Sequence, residues 1–212
     1  MKVFLYIYYF FRSAFLRGFA NTIRLIRAEA QNEKKYGITT SSIKKSNSTE
    51  FFHYQGAGYL ILFKVFEKII PHTKTFNFMD IGCGKGRPVF VAESLGFENL
   101  KGIDLDEELI AISNSNLKNY LLKRKTSDIQ FIKANALDFN YENKPTVYFL
   151  FNPFNEEVLK KVLQRIINST TAETWFVYMN PKYKDAFTKE KFEVVEELKT
   201  KRYLEAVIYR LK

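Results

Sequence analysis

The stretch "FMDIGCGKGRPVF", residues 78–90, puts three glycines at alternate positions just after an apolar run that ends in aspartate. Gly82, Gly84 and Gly86 follow a strand candidate, "TFNFMDI" (75–81), and open a helix candidate, "RPVFVAESLG" (87–96), stopped by Gly96. Between strand and helix, a turn without side chains lets a ligand lie against backbone, and the helix N-terminus offers it free N–H groups. The spacing argues against two nucleotide-binding loops. A Walker A loop needs Ser or Thr after its lysine, but Lys85 is followed by Gly86. A dinucleotide fingerprint needs glycine where Arg87 stands, which argues against an NAD-type oxidoreductase.

Outward from that turn, strands and helices alternate. "NLKGIDL" (99–105) reads as a strand and "DEELIAISNSNLKNYLLKRK" (106–125) as a helix. Further strands are expected over "DIQFIKA" (128–134), "TVYFLF" (146–151) and "ETWFVYM" (173–179), with a helix over "EEVLKKVLQRII" (156–167). "FEVVEELKT" and "YLEAVIYRL" close the chain as two adjacent, antiparallel strands. The pattern predicts an α/β, Rossmann-like, seven-stranded and mostly parallel sheet with helices on both faces and an antiparallel C-terminal strand. Ligands of such sheets bind at the carboxyl ends of the strands, where the winding direction reverses. His72, after Pro71, reads as loop; Lys85 and Arg87 read either as partners of an anionic group or as solvated cations, the second being preferred.

The 212 residues carry a net charge of +10, unevenly placed. Residues 1–50 hold nine Lys/Arg against three acids, and the remainder is near neutral at 24 against 20. This divides the chain into a basic, aromatic, helical arm and linker (1–50) and a near-neutral domain (51–212). In the arm, Phe15, Phe19, Ile23 and Ile26 recur at helical spacing, with Arg17, Arg24 and Arg27 on the other side. Such a helix either packs its apolar stripe on the domain or lies in an anionic membrane surface through residues 1–30. The apolar run Val3–Phe11 is about half the roughly 20 residues that span a bilayer. Gly37 and "TTSSIKKSNST" (39–49) read as linker. A lone cysteine, Cys83, fits a reducing, cytoplasmic setting, and no Cys/His cluster suggests a metal. Nucleic acid is the less favoured partner, because the basic excess lies in an aromatic arm and not across the predicted site.

The spacing D-x-G-x-G-x-G resembles motif I of class I S-adenosylmethionine-dependent methyltransferases. The likeness extends over roughly residues 35–212. It takes in "KYGITT" (35–40), "FHYQGAGYLILF" (52–63), "GCGKGR", "FNPF" and "YMNP" (178–181), an order similar to that of a set of bacterial methyltransferases. A weaker, fold-level likeness is to lysine methyltransferases of the Dot1 type. The resemblance implies S-adenosylmethionine as cofactor. It would be held by Asp80, Gly82, Cys83, Gly84 and Gly86, by Asp104 with Leu105 at the ribose, and by Asn135 and Ala136 near adenine. A carboxylate suits the ribose because its two oxygens can each accept from one hydroxyl. Asn152, Pro153 and Phe154 match motif IV, in which N-methyltransferases present amide and backbone carbonyls to an amine; Asn152 also borders the cofactor. His53, Tyr54 and Tyr59 belong to a segment expected to close over the cofactor, with His53 a base if the acceptor is a hydroxyl. Tyr178, Asn180 and Pro181 would line the acceptor side. The acceptor, whether protein, small molecule, lipid or glycan, is not named by these residues. An inactive cofactor-binding adaptor at a membrane is the alternative.

Overall fold

The computed structural model describes residues 2–41, 56–122, 124 and 128–212. Two helices, α1 (Lys2–Arg17) and α2 (Phe19–Tyr36), lead into α3 (Tyr59–Thr73). Then follow β1 (Asn77–Ile81), α4 (Arg87–Ser94), β2 (Glu98–Asp104), α5 (Glu107–Leu121) and β3 (Ile129–Lys133). β4 (Thr146–Phe151), α6 (Glu156–Ser169), β5 (Thr174–Met179), β6 (Phe192–Thr200) and β7 (Tyr203–Leu211) complete the chain.

The seven strands lie in the order β3-β2-β1-β4-β5-β7-β6, all parallel except β7, which runs antiparallel to both its neighbours. Winding reverses between β1 and β4, so a crevice is expected beyond Ile81 and Phe151. Both faces of the central sheet are covered, which is why β4 and β5 read as nearly unbroken apolar runs. Along β4, Val147 and Phe149 face one core with Phe66, Phe78, Phe90 and Tyr120. Tyr148 and Leu150 face the other, beneath Leu159, Val162 and Ile166 of α6.

Local chemistry sets the helix ends. Asp106 caps α5 by accepting from the N–H groups of Glu108 and Leu109, and Asn155 caps α6 by accepting from that of Val158. Gly86, at φ +84°, turns the chain into α4 with Pro88 in the first turn. Gly37, at φ +70°, ends α2 and returns its N–H to Glu33 O.

Two readings need correction here. Pro71 and His72 lie in the last turn of α3, not in a loop, and the His72 ring stacks on Trp175 at 5.5 Å between centroids. Arg87 is not a solvated cation: it is 1% exposed, and Lys85 is 7% exposed. The reason lies upstream, in α2. No described helix is long and apolar enough to cross a membrane.

Candidate active site

The glycine turn is shaped first by the protein itself. A Cβ on Gly82 would lie 2.6 Å from Pro153 Cβ, so the loops after β1 and β4 touch across the switch point. A Cβ on Gly86 would strike the Phe131 ring at 2.4 Å. Both glycines have positive φ, at +78° and +84°, where a side chain adds strain as well as a clash. Gly84, at φ +54°, instead donates its N–H to Asp104 Oδ2 at 2.8 Å.

Two carboxylates converge on this loop. Asp104, at the end of β2, accepts the Gly84 N–H on one oxygen and the Asp106 N–H (2.9 Å) on the other. Each oxygen keeps a lone pair for a further donor such as a vicinal diol. Burial raises the Asp104 pKa, and the backbone hydrogen bonds oppose that rise. Asp80, at the end of β1, is 1% exposed, and its Oδ2 has no hydrogen-bond partner. Burial, helped by the Asp104 charge, pushes the Asp80 pKa well above the usual carboxylate range. An orphaned carboxyl oxygen in such a place leaves an acceptor for a donor from a ligand. Leu105, 46% exposed, offers a bare apolar surface beside Asp104. The thiol of Cys83 is buried against Gly102, and burial raises its pKa well above the usual range.

Asn135 is engaged locally. Its carbonyl accepts from the Leu137 N–H at 3.0 Å and its amide donates to Asp138 at 2.8 Å, so the side chain builds the turn after β3. Ala136 is buried, and its backbone carbonyl accepts from the Tyr141 hydroxyl at 2.8 Å. On the acceptor side, Asn152 holds φ +45°, an αL conformation that asparagine tolerates. The Tyr178 hydroxyl donates to its Oδ1 at 2.8 Å. Pro153 fixes the turn and Phe154 is buried in the α6-side core. Asn180, also at positive φ (+49°), accepts from the Tyr203 hydroxyl. His53 and Tyr54 lie outside the described residues.

Sequence reading missed the group that holds the loop. The Arg87 guanidinium pairs with Glu29 (2.7 Å) and Glu33 (3.2 Å) of α2. It also donates to Thr40 Oγ1 (2.6 Å), Ser41 Oγ (3.0 Å) and the Ala57 carbonyl (2.7 Å), and lies 4.3 Å over the Tyr59 ring. Tyr59, fully buried, donates its hydroxyl to Glu33 and its backbone N–H to Glu29. Asn116 adds a second tie: its amide donates to the carbonyls of Lys85 and Thr39, and its carbonyl accepts from the Thr39 N–H. Only two of the three acids in an otherwise basic arm, Glu29 and Glu33, hinted at this.

A seven-stranded sheet with a glycine turn and two carboxylates at its switch point defines the class I methyltransferase architecture. A family model described as "Methyltransferase domain" matches residues 72–209, well over half of the chain, and the protein belongs to that family. Solved structures agree on the fold. Magnesium protoporphyrin IX methyltransferase from Synechocystis PCC 6803, crystallised with SAM, shares 10% identity over 72% of this chain and 79% of its own, at TM-score 0.56. A SAM-dependent methyltransferase from Aquifex aeolicus shares 14% over 71% and 89%, at TM-score 0.54. A protein from Pyrococcus horikoshii OT3 shares 17% over 84% and 99%, also at TM-score 0.54. No curated protein matches the chain in sequence.

The protein is therefore an S-adenosylmethionine-dependent methyltransferase, and its residues fit that cofactor. Asp80 has an unpartnered oxygen that would accept from the methionine ammonium, and Asp104 has two acceptor oxygens that would take the ribose hydroxyls. When bound, the cofactor supplies an already activated methyl group on its sulfonium. The chain's own task is to align an acceptor with it and exclude water.

Proposed function

We propose that the enzyme methylates an amine nitrogen, on a protein lysine or a small molecule, presented at Asn152-Pro153-Phe154. The observation that carries this reading is the fixing of Asn152. Tyr178 holds its carbonyl oxygen at the end of β4, and Asn152 is only 8% exposed. A carbonyl so held keeps a lone pair for an N–H of the acceptor, which would orient the nitrogen lone pair toward the methyl group. Such an amine, delivered neutral, requires no strong base. We further propose that the enzyme does this while held peripherally on an anionic surface through residues 1–30, on the cytoplasmic side.

The test is transfer of labelled methyl from S-adenosylmethionine to a matched panel of amines and alcohols, including a lysine-bearing peptide. Amines should become labelled, and Asn152→Ala should lower kcat about a hundredfold with cofactor affinity little changed. Labelling of alcohols alone would overturn the amine reading. Cofactor binding with no transfer to any member would favour the adaptor alternative.

A further inference from the structure

We infer that α1 docks this enzyme on an anionic lipid bilayer with the carboxyl edge of the sheet, where the active site lies, turned toward the membrane. This rests on the peripheral attachment proposed above and gives it a surface, a partner and an orientation.

The surface is a row of largely exposed rings. Tyr8, Phe11 and Phe15 share one face of α1 at i, i+3 and i+7, and are 60%, 65% and 63% exposed; Phe19, at the start of α2, is 64% exposed. Other parts of α1 are occupied. Ser13 hydrogen-bonds Thr22, and Phe10 meets Phe19 edge-on at 5.7 Å, so the two helices form a hairpin around Gly18. The exposed row is thus what the hairpin leaves outside.

Charge selects the partner. From Lys2 to Ala28 the chain carries five basic residues and no acid. Arg12, Arg24 and Arg27 are exposed, as are Lys201 and Arg202 at the β6–β7 turn, where Arg202 lies 5.0 Å over the Phe15 ring. Aromatic rings beside long cationic side chains suit the bilayer interface, where the rings enter and the cations reach anionic head groups. A second copy of this face would set like charges against each other, so self-association is the poorer fit.

Orientation follows from how α1 is fastened. The Leu16 carbonyl accepts from the Arg202 N–H at 3.0 Å. Arg17 forms a two-pronged pair with Glu205 (2.5 and 2.8 Å) and lies 4.3 Å over the Tyr203 ring. Tyr203 in turn donates to Asn180, one residue past the end of β5. Because Met179 is opposite Ala206, the turn before Tyr203 projects beyond the carboxyl end of β5. The helix is therefore fastened to the acceptor-side rim of the site, and the membrane it binds becomes the surface from which the acceptor is drawn.

The test uses the full chain and vesicles of phosphatidylcholine alone or with about one-third phosphatidylglycerol. The protein should sediment with the anionic vesicles and not with the neutral ones. Tyr8→Ser with Phe11→Ser, and separately Arg12→Glu with Arg27→Glu, should each weaken that partition about tenfold or more. S-adenosylmethionine affinity, measured on the same samples, should stay at the wild-type value, which certifies folding. For orientation, tryptophan is placed by Phe11→Trp or, at the opposite edge of the sheet, by Lys144→Trp. Brominated lipid should quench the first and not the second, above the constant background of buried Trp175. Equal binding to neutral vesicles, wild-type partition of both double variants, or equal quenching at both positions would overturn the inference. Vesicle binding and methyl transfer are read separately, so the loss of one reading leaves the other standing.

Discussion

Helices α1 and α2 come from one basic, aromatic stretch and have opposite fates. α1 keeps Tyr8, Phe11 and Phe15 in solvent and, among its described residues, meets the domain chiefly at its last turn, through Leu16 and Arg17. α2 begins as exposed as α1, but its second half is built into the molecule. Ala28 and Tyr36 are buried, and Glu29 and Glu33 close on Arg87 of the glycine loop. The difference lies in a few acids. A cation in the glycine loop can be buried only where carboxylates meet it, and α2 supplies two. The family match begins at residue 72, so this support, drawn from residues 29–59, is added by the chain ahead of the shared domain. A single stretch thus carries one helix with exposed rings and one that braces the glycine loop.

The largest expected effect comes from Arg87→Met, which leaves the two glutamates facing a buried site without their cation. Stability should fall by about 3 kcal/mol, read from the denaturant midpoint, and cofactor affinity should fall with it. Phe11→Ser should stay within about 0.5 kcal/mol of wild type. An Arg87→Met protein as stable as wild type would abolish the contrast between the helices. Gly56→Ala probes the same clamp from the other side. Its Cβ would lie 2.8 Å from the Arg87 guanidinium carbon, which five hydrogen-bonding or ionic partners prevent from yielding. A loss of about 1–3 kcal/mol is expected, and none if the clamp is loose. Arg17→Ala is the milder counterpart on α1. It strips Glu205, 4% exposed, of its cation but leaves the Thr200 hydroxyl bonded to it. About 1–2 kcal/mol should be lost, with cofactor affinity preserved. A matching loss of cofactor affinity would show that α1 also braces the site.

The contrast also marks what sequence can carry. The strand β4 is read at its observed ends, because Pro145 and Asn152 bracket an unbroken apolar run. The motif acids and glycines lie where their spacing puts them, since the turn after β1 is a local structure. The arginine of that turn was misread because its partners stand far away, Glu33 being 54 positions upstream. Composition showed a basic arm and so concealed the two acids in it that mattered. His72 was misplaced because proline argues for a break, whereas Pro71 comes late enough in α3 to be tolerated and the ring gains Trp175. Asn135 was read toward adenine, and the structure shows how much of its hydrogen bonding the turn already uses. Local chemistry was legible; long-range pairing of charges was not.

The smallest effect tests whether the brace acts by geometry alone. Asp80 has its pKa raised by burial and by Asp104, so the folded protein without cofactor holds a proton there that the unfolded chain has released. That group's contribution to stability is complete below the unfolded carboxylate pKa and fades as pH rises through the folded value. A cofactor ammonium held at Asp80 would reverse the preference, because it would favour the carboxylate. Binding should therefore release a proton and tighten as pH rises through the titration of Asp80. Calorimetry in two buffers of different ionisation enthalpy reads that proton, and Asp80→Asn should abolish it. If α2 only holds the loop in place, Arg87→Met will weaken binding at every pH and leave the proton count unchanged. A changed count would mean that the Arg87 charge reaches Asp80 directly, and the brace would then be electrostatic as well as mechanical.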